Sequence, residues 1–237
     1  MKKFFAIVFS SMLLLTGCAG SQEENEINQE NNNQSNQSSA ELEESSSEDI
    51  VATDQYGRGA QSDGQDTNST EEVVRELSED SDAIIIYFSR SGNTENLVKM
   101  MQDQTNADAL ELTLDEPYPA DYDETVERAD EERESENFPE INTEMPDFSQ
   151  YDHIYLGYQT WSMTLSNPMI SFLEVNGEAL DGKTIYPFST NAGYGEGDSI
   201  ERIQEMLPNS TVEESFSVED EDATSSQDEL EDWLAGQ

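Results

Sequence analysis

The chain has 237 residues, 54 of them acidic and 10 basic, and its formal net charge is −44. Nucleic acid and anionic lipid headgroups are poor partners for such a surface. One cysteine and one histidine exclude, within this chain, a disulfide, a CxxC redox pair, a cysteine-ligated cluster and a multi-histidine metal site. We therefore expect no metal, and any redox chemistry would need an organic cofactor.

Residues 1–17 have the layout of a secretory signal peptide. Two lysines precede a short apolar run, Phe4 to Leu15, which is too short for a permanent bilayer span. The run ends in Leu15-Thr16-Gly17-Cys18, the pattern of a bacterial lipobox, in which Cys18 becomes the lipidated first residue of the mature protein. An ordinary signal peptide with an incidental cysteine is the alternative. The lipobox predicts a protein held by its lipid anchor alone at the outer face of the cytoplasmic membrane.

Residues 18–80 are predicted to be the lipidated cysteine and a disordered acidic linker. The segment is rich in Gln, Asn, Ser, Glu and Gly, and its apolar residues are scattered singly. Such a composition cannot bury enough apolar surface to offset the entropy lost on ordering. Val73, Val74 and Leu77 predict one helical turn at the domain edge. The folded domain is expected to span residues 81–237.

The acidity extends into the predicted domain. From Asp82 onward there are 37 acidic and 6 basic residues, a difference of −31. Repulsion among these carboxylates costs stability at low salt and is screened at high salt, where the Debye length falls to about 3 Å at 1 M. The composition predicts a domain that salt stabilises, and hence a salty habitat.

Apolar runs alternate with polar helical stretches after Asp82. The strand candidates are Ala83–Phe88, Ala109–Leu114, His153–Gly157, Thr184–Ser189 and Thr211–Val218. The helix candidates are Thr94–Gln104, Tyr122–Glu134, Pro168–Val175, Ser199–Met206 and Ser226–Leu234. This alternation predicts one doubly wound α/β domain, a five-stranded parallel sheet between two helical layers. His153 is expected to open a strand and form a local hydrogen bond.

The first predicted strand ends at a hydroxyl-rich loop, Ser89-Arg90-Ser91-Gly92-Asn93-Thr94. The first N–H groups of the following helix lack carbonyl partners, so strand, loop and helix together form an anion site. Several neutral donors and one cation suit a phosphate monoester. Arg90 either pairs with that phosphate or points outward, and an ordinary hydroxyl-rich turn is the bland alternative for the whole loop.

This pattern resembles the phosphate-binding loop of the flavodoxin family, and the resemblance runs from about Asp82 to the C-terminus. It implies the strand order 2-1-3-4-5, flavin mononucleotide (FMN) as the cofactor, and electron transfer as the activity. In such a sheet the ligand lies at the carboxyl ends of the strands, where the winding direction reverses.

The loop after the third strand reads Gln159-Thr160-Trp161-Ser162. Flavodoxins often have a P-I-W-W-like run there, so the first tryptophan matches, whereas the proline and the second aromatic residue do not. The resemblance implies that Thr160, Trp161 and Ser162 contact the cofactor. Trp161 either stacks on a planar ring or packs on its own domain.

The loop after the fourth strand carries glycines at 193, 195 and 197, which let the backbone approach a flat ligand. It lacks the spacing of a dinucleotide fingerprint. The resemblance implies contacts with the isoalloxazine ring, which we assign to Thr190, Asn191, Gly193, Tyr194 and Gly195. Asp198 or Ser199 is expected to cap the next helix.

The sequence therefore predicts a membrane-anchored, extracytoplasmic electron-transfer protein without catalytic side chains, rather than a substrate-converting enzyme. Its expected partner is a redox protein with a basic docking face, and the protein is expected to be a monomer. Two alternatives remain open: a non-catalytic lipoprotein that captures a flavin or a related nucleotide, and a cofactor-free interaction module on the same fold.

Overall fold

The computed structural model describes residues 72–119 and 121–237. The sheet in this part of the chain has the order β1-β3-β2-β4-β6-β7, with β5 paired to β4 and β8 to β6. Its strands are β1 (Arg75–Glu76), β2 (Ala83–Tyr87), β3 (Asp108–Glu111), β4 (His153–Trp161), β5 (Thr164–Leu165), β6 (Thr184–Asn191), β7 (Thr211–Val212) and β8 (Phe216–Glu219).

The centre of the sheet is parallel and has five strand positions, the last of which is shared by β7 and β8. Strand β2 pairs in parallel with β3 and β4, β4 pairs in parallel with β6, and β6 pairs in parallel with β7 and then β8. The predicted order 2-1-3-4-5 and the doubly wound α/β fold are confirmed. The short strands β1 and β5 are antiparallel additions that the sequence pattern did not show.

The five described α-helices agree with the predicted ones to within two residues at each end. They are α1 (Asn93–Thr105), α2 (Tyr122–Ser135), α3 (Asn167–Asn176), α4 (Ser199–Met206) and α5 (Gln227–Gly236). Within residues 72–119 and 121–237, none of them is long and apolar enough to cross a bilayer.

Side chains of β2 alternate between two cores, because successive residues of a strand point to opposite faces. Ile84 and Ile86 belong to the core beneath α3 and α4. Ile85 and Tyr87 belong to the core beneath α1 and α5. On α1 the inner face is formed by Leu97, Val98, Met100 and Met101, which are all buried. The sheet is thus the middle layer of a three-layer sandwich.

The segment before β2 differs from its prediction. The helical turn expected at Val73–Leu77 is wrong, because Arg75–Glu76 is a strand that pairs antiparallel with β3. The backbone N–H of Val74 donates to Glu111, and Ser78 donates to Asp108 from both its backbone and its hydroxyl. Residues from 72 onward, which the sequence assigned to the linker, therefore pack on the sheet edge. The signal peptide, Cys18 and the linker up to residue 71 lie outside the described residues.

The fifth parallel strand is broken where one continuous strand was predicted. Thr184 of β6 faces Thr211, an offset of 27 residues, whereas Phe188 faces Phe216, an offset of 28. One extra residue is thus accommodated between β7 and β8, in the manner of a bulge. Because of this break, β7 pairs with the amino end of β6, whereas β8 pairs with its carboxyl end.

Candidate functional site

A cavity of about 390 Å³ opens at the carboxyl ends of β2, β4 and β6. This is the edge at which ligands bind in doubly wound sheets, and the volume lies in the range of small-molecule sites. The loops after the three strands border the cavity, as predicted, and helix α2 forms a further wall.

The loop after β2 depends on one glycine. Gly92 has φ 90°, in the left-handed region that glycine adopts without strain, and α1 begins at the next residue. The N–H of Asn96 donates to the Gly92 carbonyl at 2.9 Å, and that of Glu95 donates to the Ser89 hydroxyl at 3.3 Å. The N-terminus of α1 is thereby placed beside the cavity, and the positive end of the helix dipole favours an anion there.

Arg90 points inward, which decides between the two orientations that the sequence left open. Only 4% of the residue is exposed, and its guanidinium carbon lies 6.0 Å from the centre of the Tyr122 ring on α2. Arg90, Ser91 and Asn93 border the cavity, whereas Ser89 and Thr94 are fully buried behind them. A cation and two neutral donors therefore face the same space.

Strand β4 extends through the predicted loop and turns back as a hairpin. Trp161 pairs with Thr164 across a tight turn in which Ser162 and Met163 have φ of 51° and 65°. Two successive residues with positive φ match the type I′ turn of two-residue hairpins. The expectation that Trp161 lies in a loop is therefore wrong, since it is the last residue of β4.

Trp161 both borders the cavity and packs on its own domain. Its ring meets those of Tyr118 and Phe88 edge to face, with centroids 5.0 and 6.2 Å away. Such pairs stabilise a particular ring orientation by about 0.5–1.5 kcal/mol beyond the buried area. The two readings of Trp161 are thus compatible, because the ring is held from behind and presents its remaining surface to the cavity.

Asn191 organises the glycine loop after β6. Its Oδ1 accepts the N–H groups of Gly193 at 2.8 Å and Gly195 at 3.0 Å. Its Nδ2 donates to the Ser217 hydroxyl and the Val218 carbonyl on the neighbouring strand. The side chain that the sequence assigned to ligand contact therefore holds the loop to β8.

The glycine loop also locks against the hairpin. A Cβ at Gly197 would lie 1.9 Å from the Met163 carbonyl oxygen, a distance that no side chain tolerates. That carbonyl accepts the N–H of Asp198 at 3.0 Å. Asp198 occupies the N-cap position of α4, as expected. Its side chain, however, makes no capping hydrogen bond.

Helix α2 is the wall that sequence reasoning missed. Tyr122, Val126, Ala129 and Arg133 face the cavity at spacings of four, three and four residues. Residues at these spacings lie on one face of a helix. The spacing can be found in the sequence even though acidic residues lie between its members. The Arg133 guanidinium donates to the Ser162 hydroxyl at 2.8 Å, which ties α2 to the hairpin.

The structure brings ten of the predicted site residues to the cavity. They are Arg90, Ser91, Asn93, Thr160, Trp161, Ser162, Thr190, Asn191, Tyr194 and Gly195. Ser89, Gly92, Thr94 and Gly193 do not border it and instead shape the loops. Besides the α2 residues, four residues that were not among the assigned site residues also border the cavity: Gln159, Met163, Ala192 and Asp220.

The electrostatics of the cavity differ from those of the domain around it. Two of the six cations that follow Asp82, Arg90 and Arg133, border a cavity in which Asp220 is the carboxylate. Burial raises the pKa of the Asp220 carboxyl, the N–H of Glu221 partly offsets this, and the charges of Glu221 and Glu219 raise it further. The part of the cavity near Arg90 can therefore bind an anion, although the domain as a whole repels anions.

His153 has a structural role, as predicted. It opens β4, and its Nδ1 lies 2.9 Å from the Tyr186 hydroxyl on β6. Among the described residues, no group of three or more His, Cys, Asp or Glu side chains is arranged to hold a metal ion.

The flavodoxin family matches residues 82–236. A protein from Bacteroides eggerthii assigned as a flavoprotein is 22% identical, covering 66% of this chain and 98% of its own, with a TM-score of 0.57. A flavoprotein from Lactobacillus acidophilus, solved in complex with FMN, is 24% identical over 63% of this chain and 97% of its own, with a TM-score of 0.51. A comparison with curated proteins gave no match. At these identities the structural likeness establishes the fold.

Proposed function

The chain belongs to the flavodoxin family, and from this membership we propose that it binds FMN in the cavity at the carboxyl end of the sheet. The phosphate would lie at the loop before α1, and the isoalloxazine ring would lie towards Trp161 and Tyr194. When bound, the flavin would supply the redox chemistry, while the protein binds and orients it.

The observation that carries this proposal is the concentration of donors at one loop of a very acidic domain. The N-terminus of α1, the Arg90 guanidinium and the side chains of Ser91 and Asn93 face one cavity. Glu95, the acidic residue of the first turn, forms an ion pair with Lys99 at 3.0 Å, so its charge is offset. Neutral donors with one cation suit a phosphate monoester.

The rest of the cavity suits a planar apolar ring. Trp161 offers an aromatic surface, and Val126, Ala129 and Met163 give apolar contacts. The buried Oγ1 of Thr160 has no hydrogen-bond partner among the described residues. A polar ligand with an N–H or O–H group would satisfy it, which removes a desolvation cost of about 1–3 kcal/mol.

The phosphate assignment is tested with two ligands that differ only in that group. We expect the protein to bind FMN more tightly than riboflavin, and Arg90→Ala to lower the FMN affinity by about tenfold or more while leaving riboflavin nearly unchanged. Fluorescence titration gives both dissociation constants. Equal affinities for the two flavins in the unchanged protein would place the phosphate elsewhere.

We further propose that the bound flavin carries electrons between protein partners. The family membership supports this role, and the cavity mouth, where Tyr194 is 67% exposed, leaves a route to the flavin edge. The test is to reduce the flavoprotein chemically, remove the reductant and add an oxidised basic cytochrome. Electron delivery in proportion to flavin supports a carrier; a flavin that dissociates before it reacts supports a capture protein.

The acidic surface supports a partner with a basic docking face and a protein that is monomeric, because copies carrying this charge repel one another. We expect the rate of electron delivery to a basic partner to fall as ionic strength rises. Stopped-flow mixing over a salt series measures this, and a rate that rises with salt would contradict it.

The location at the outer face of the cytoplasmic membrane rests on the lipobox pattern alone. Lipidation is tested by metabolic labelling with a fatty acid and by fractionation of cells expressing the full chain. We expect Cys18→Ser to abolish labelling and release the protein from the membrane. Labelling that persists in the variant would assign the lipid to another residue or process.

A further inference from the structure

Gln159 borders the cavity and begins a hydrogen-bond chain that runs through the buried Thr94 to Thr190. Its side-chain Nε2 lies 2.5 Å from the Phe88 carbonyl oxygen and 2.6 Å from the Thr94 hydroxyl. A carbonyl only accepts, so the atom facing Phe88 is the amide nitrogen, and this fixes the orientation of the amide. Because an amide nitrogen only donates, the Thr94 hydroxyl accepts from Gln159.

The next link has a direction as well. The hydroxyls of Thr94 and Thr190 are 2.9 Å apart, and Thr94 is fully buried. Among the described residues, the Thr190 oxygen is the acceptor within reach of the Thr94 hydroxyl hydrogen. If Thr190 donated instead, that hydrogen would be buried without a partner, at a cost that native proteins rarely bear. Thr94 therefore donates to Thr190.

Thr190 then has one hydrogen left to donate. It borders the cavity and is 2% exposed, whereas Thr94 does not border the cavity. The chain thus links the Gln159 donor, through Thr94 in the first turn of α1, to a hydroxyl on β6 that borders the cavity. Each step follows from which atoms can donate and which can accept.

We propose that Gln159 is a positioning residue that sets the direction of this Gln159–Thr94–Thr190 chain, so that Thr190 donates its hydrogen to the phosphate of the flavin instead of contacting the isoalloxazine ring as the family resemblance implied. The inference rests on the FMN site proposed above and adds a donor to it. Phosphate oxygens accept hydrogen bonds, so a hydroxyl whose hydrogen is already directed at the cavity needs no reorientation when the ligand binds. A proline at this position, as in the flavodoxin run, has no side chain that could set this direction.

The test compares FMN with riboflavin in variants of the full chain. Gln159→Met keeps the length of the side chain and removes its donors, and Thr190→Val removes the terminal hydroxyl. We expect each to weaken FMN binding by about five- to tenfold, the worth of one hydrogen bond, and to change riboflavin binding by less than twofold. Thr190→Ser, which keeps the hydroxyl, should restore most of the FMN affinity.

The double variant separates a chain from two independent contacts. If Gln159 acts through Thr190, adding Gln159→Met to Thr190→Val should cause no further loss of FMN affinity. Gln150→Met is the matched control, because Gln150 also donates to backbone carbonyls, those of Ser78 and Ser81, but does not border the cavity. It should leave the ratio of the two affinities unchanged.

Two results would overturn the inference alone: an equal loss of FMN and riboflavin affinity in Gln159→Met, or a double variant whose loss is the product of the single losses. Failure of the unchanged protein to bind FMN would overturn the proposed function and, with it, this inference. Should Gln159→Met fail to fold, the comparison of Thr190→Val with Thr190→Ser decides whether the terminal hydroxyl acts on the phosphate.

Discussion

The ring of Trp161 meets the ring of Tyr118 edge to face, with the two centroids 5.0 Å apart. Tyr118 is buried, its hydroxyl donates to the Glu132 carboxylate, and the Arg128 guanidinium lies 4.2 Å from the centre of its ring. Burial, and then the bond to Glu132, raises the pKa of Tyr118 well above its ordinary value. Tyr118 is therefore neutral at physiological pH and supports Trp161 from behind the cavity.

Two substitutions of Tyr118 separate the hydroxyl from the ring. Tyr118→Phe removes one buried hydrogen bond and should lower the free energy of unfolding by about 1 kcal/mol, with FMN affinity kept within about twofold. Tyr118→Ala also removes the support of Trp161 and should cost about 3–5 kcal/mol and weaken FMN binding clearly. Urea unfolding and fluorescence titration measure the two effects. Equal FMN affinities in both variants would show that Trp161 does not depend on Tyr118.

The fold was largely predictable because its signals are local. The apolar run of β2, the hydroxyl-rich loop and the stripe of α1 follow one another within about 20 residues. The break between β7 and β8 was not predictable, because its cause is the register against β6. Strand β1 was missed because a two-residue strand carries almost no pattern.

The sequence predicted the site residues near the carboxyl ends of the strands but not those on helix α2. The residues at or just after the carboxyl ends of β2, β4 and β6 were named because the fold type places these strand ends together. Helix α2 was not assigned to the site, because nine acidic residues in Asp121–Glu136 dominate its sequence. Its cavity-facing stripe became meaningful only when the sheet showed what Val126 and Ala129 face. The direction of the Gln159 chain depends on distances between side chains on β4, α1 and β6, which lie far apart in the sequence.

The contact between the glycine loop and the hairpin gives a matched pair of substitutions. Gly197 and Gly182 both have positive φ, but a Cβ at Gly182 would meet nothing within 4 Å, whereas one at Gly197 would strike the Met163 backbone. Gly182→Ala should cost about 1 kcal/mol, the backbone strain alone. Gly197→Ala should lower the midpoint of thermal unfolding further and weaken FMN binding. Similar midpoints for both would mean that the hairpin contact does not form.

We expect the carboxyl of Asp220, which borders the cavity, to make the binding of FMN depend on pH. Its pKa is raised by burial, so the folded protein holds this proton more tightly than the unfolded chain. The free energy of unfolding therefore falls as pH rises from the ordinary aspartate value through the raised one. Above that window the ionised group borders the cavity and opposes an anionic ligand.

We expect Asp220→Asn to raise FMN affinity at neutral pH and to flatten its fall with rising pH. Asp222→Asn removes the same charge from the exposed side of the same turn and serves as the control. Titrations with FMN at a series of pH values test this. If the two variants showed the same pH profile, Asp220 would not be the group that makes FMN binding depend on pH.

The excess of 37 acidic over 6 basic residues after Asp82 predicts stabilisation by salt. Raising NaCl from low concentration to 1 M shortens the Debye length to about 3 Å and screens the repulsion between surface carboxylates. The midpoint of thermal unfolding should rise by several degrees over this range. A midpoint that does not increase would show that the folded domain is not limited by its charge.

We propose that FMN binds in the cavity between the loop before α1 and Trp161. Calorimetric titration of the purified, folded protein with FMN at high salt measures this binding. We expect uptake of one FMN per chain, with an affinity above that for riboflavin. A protein that unfolds in a cooperative thermal transition, and is therefore folded, but takes up no FMN would refute the proposal.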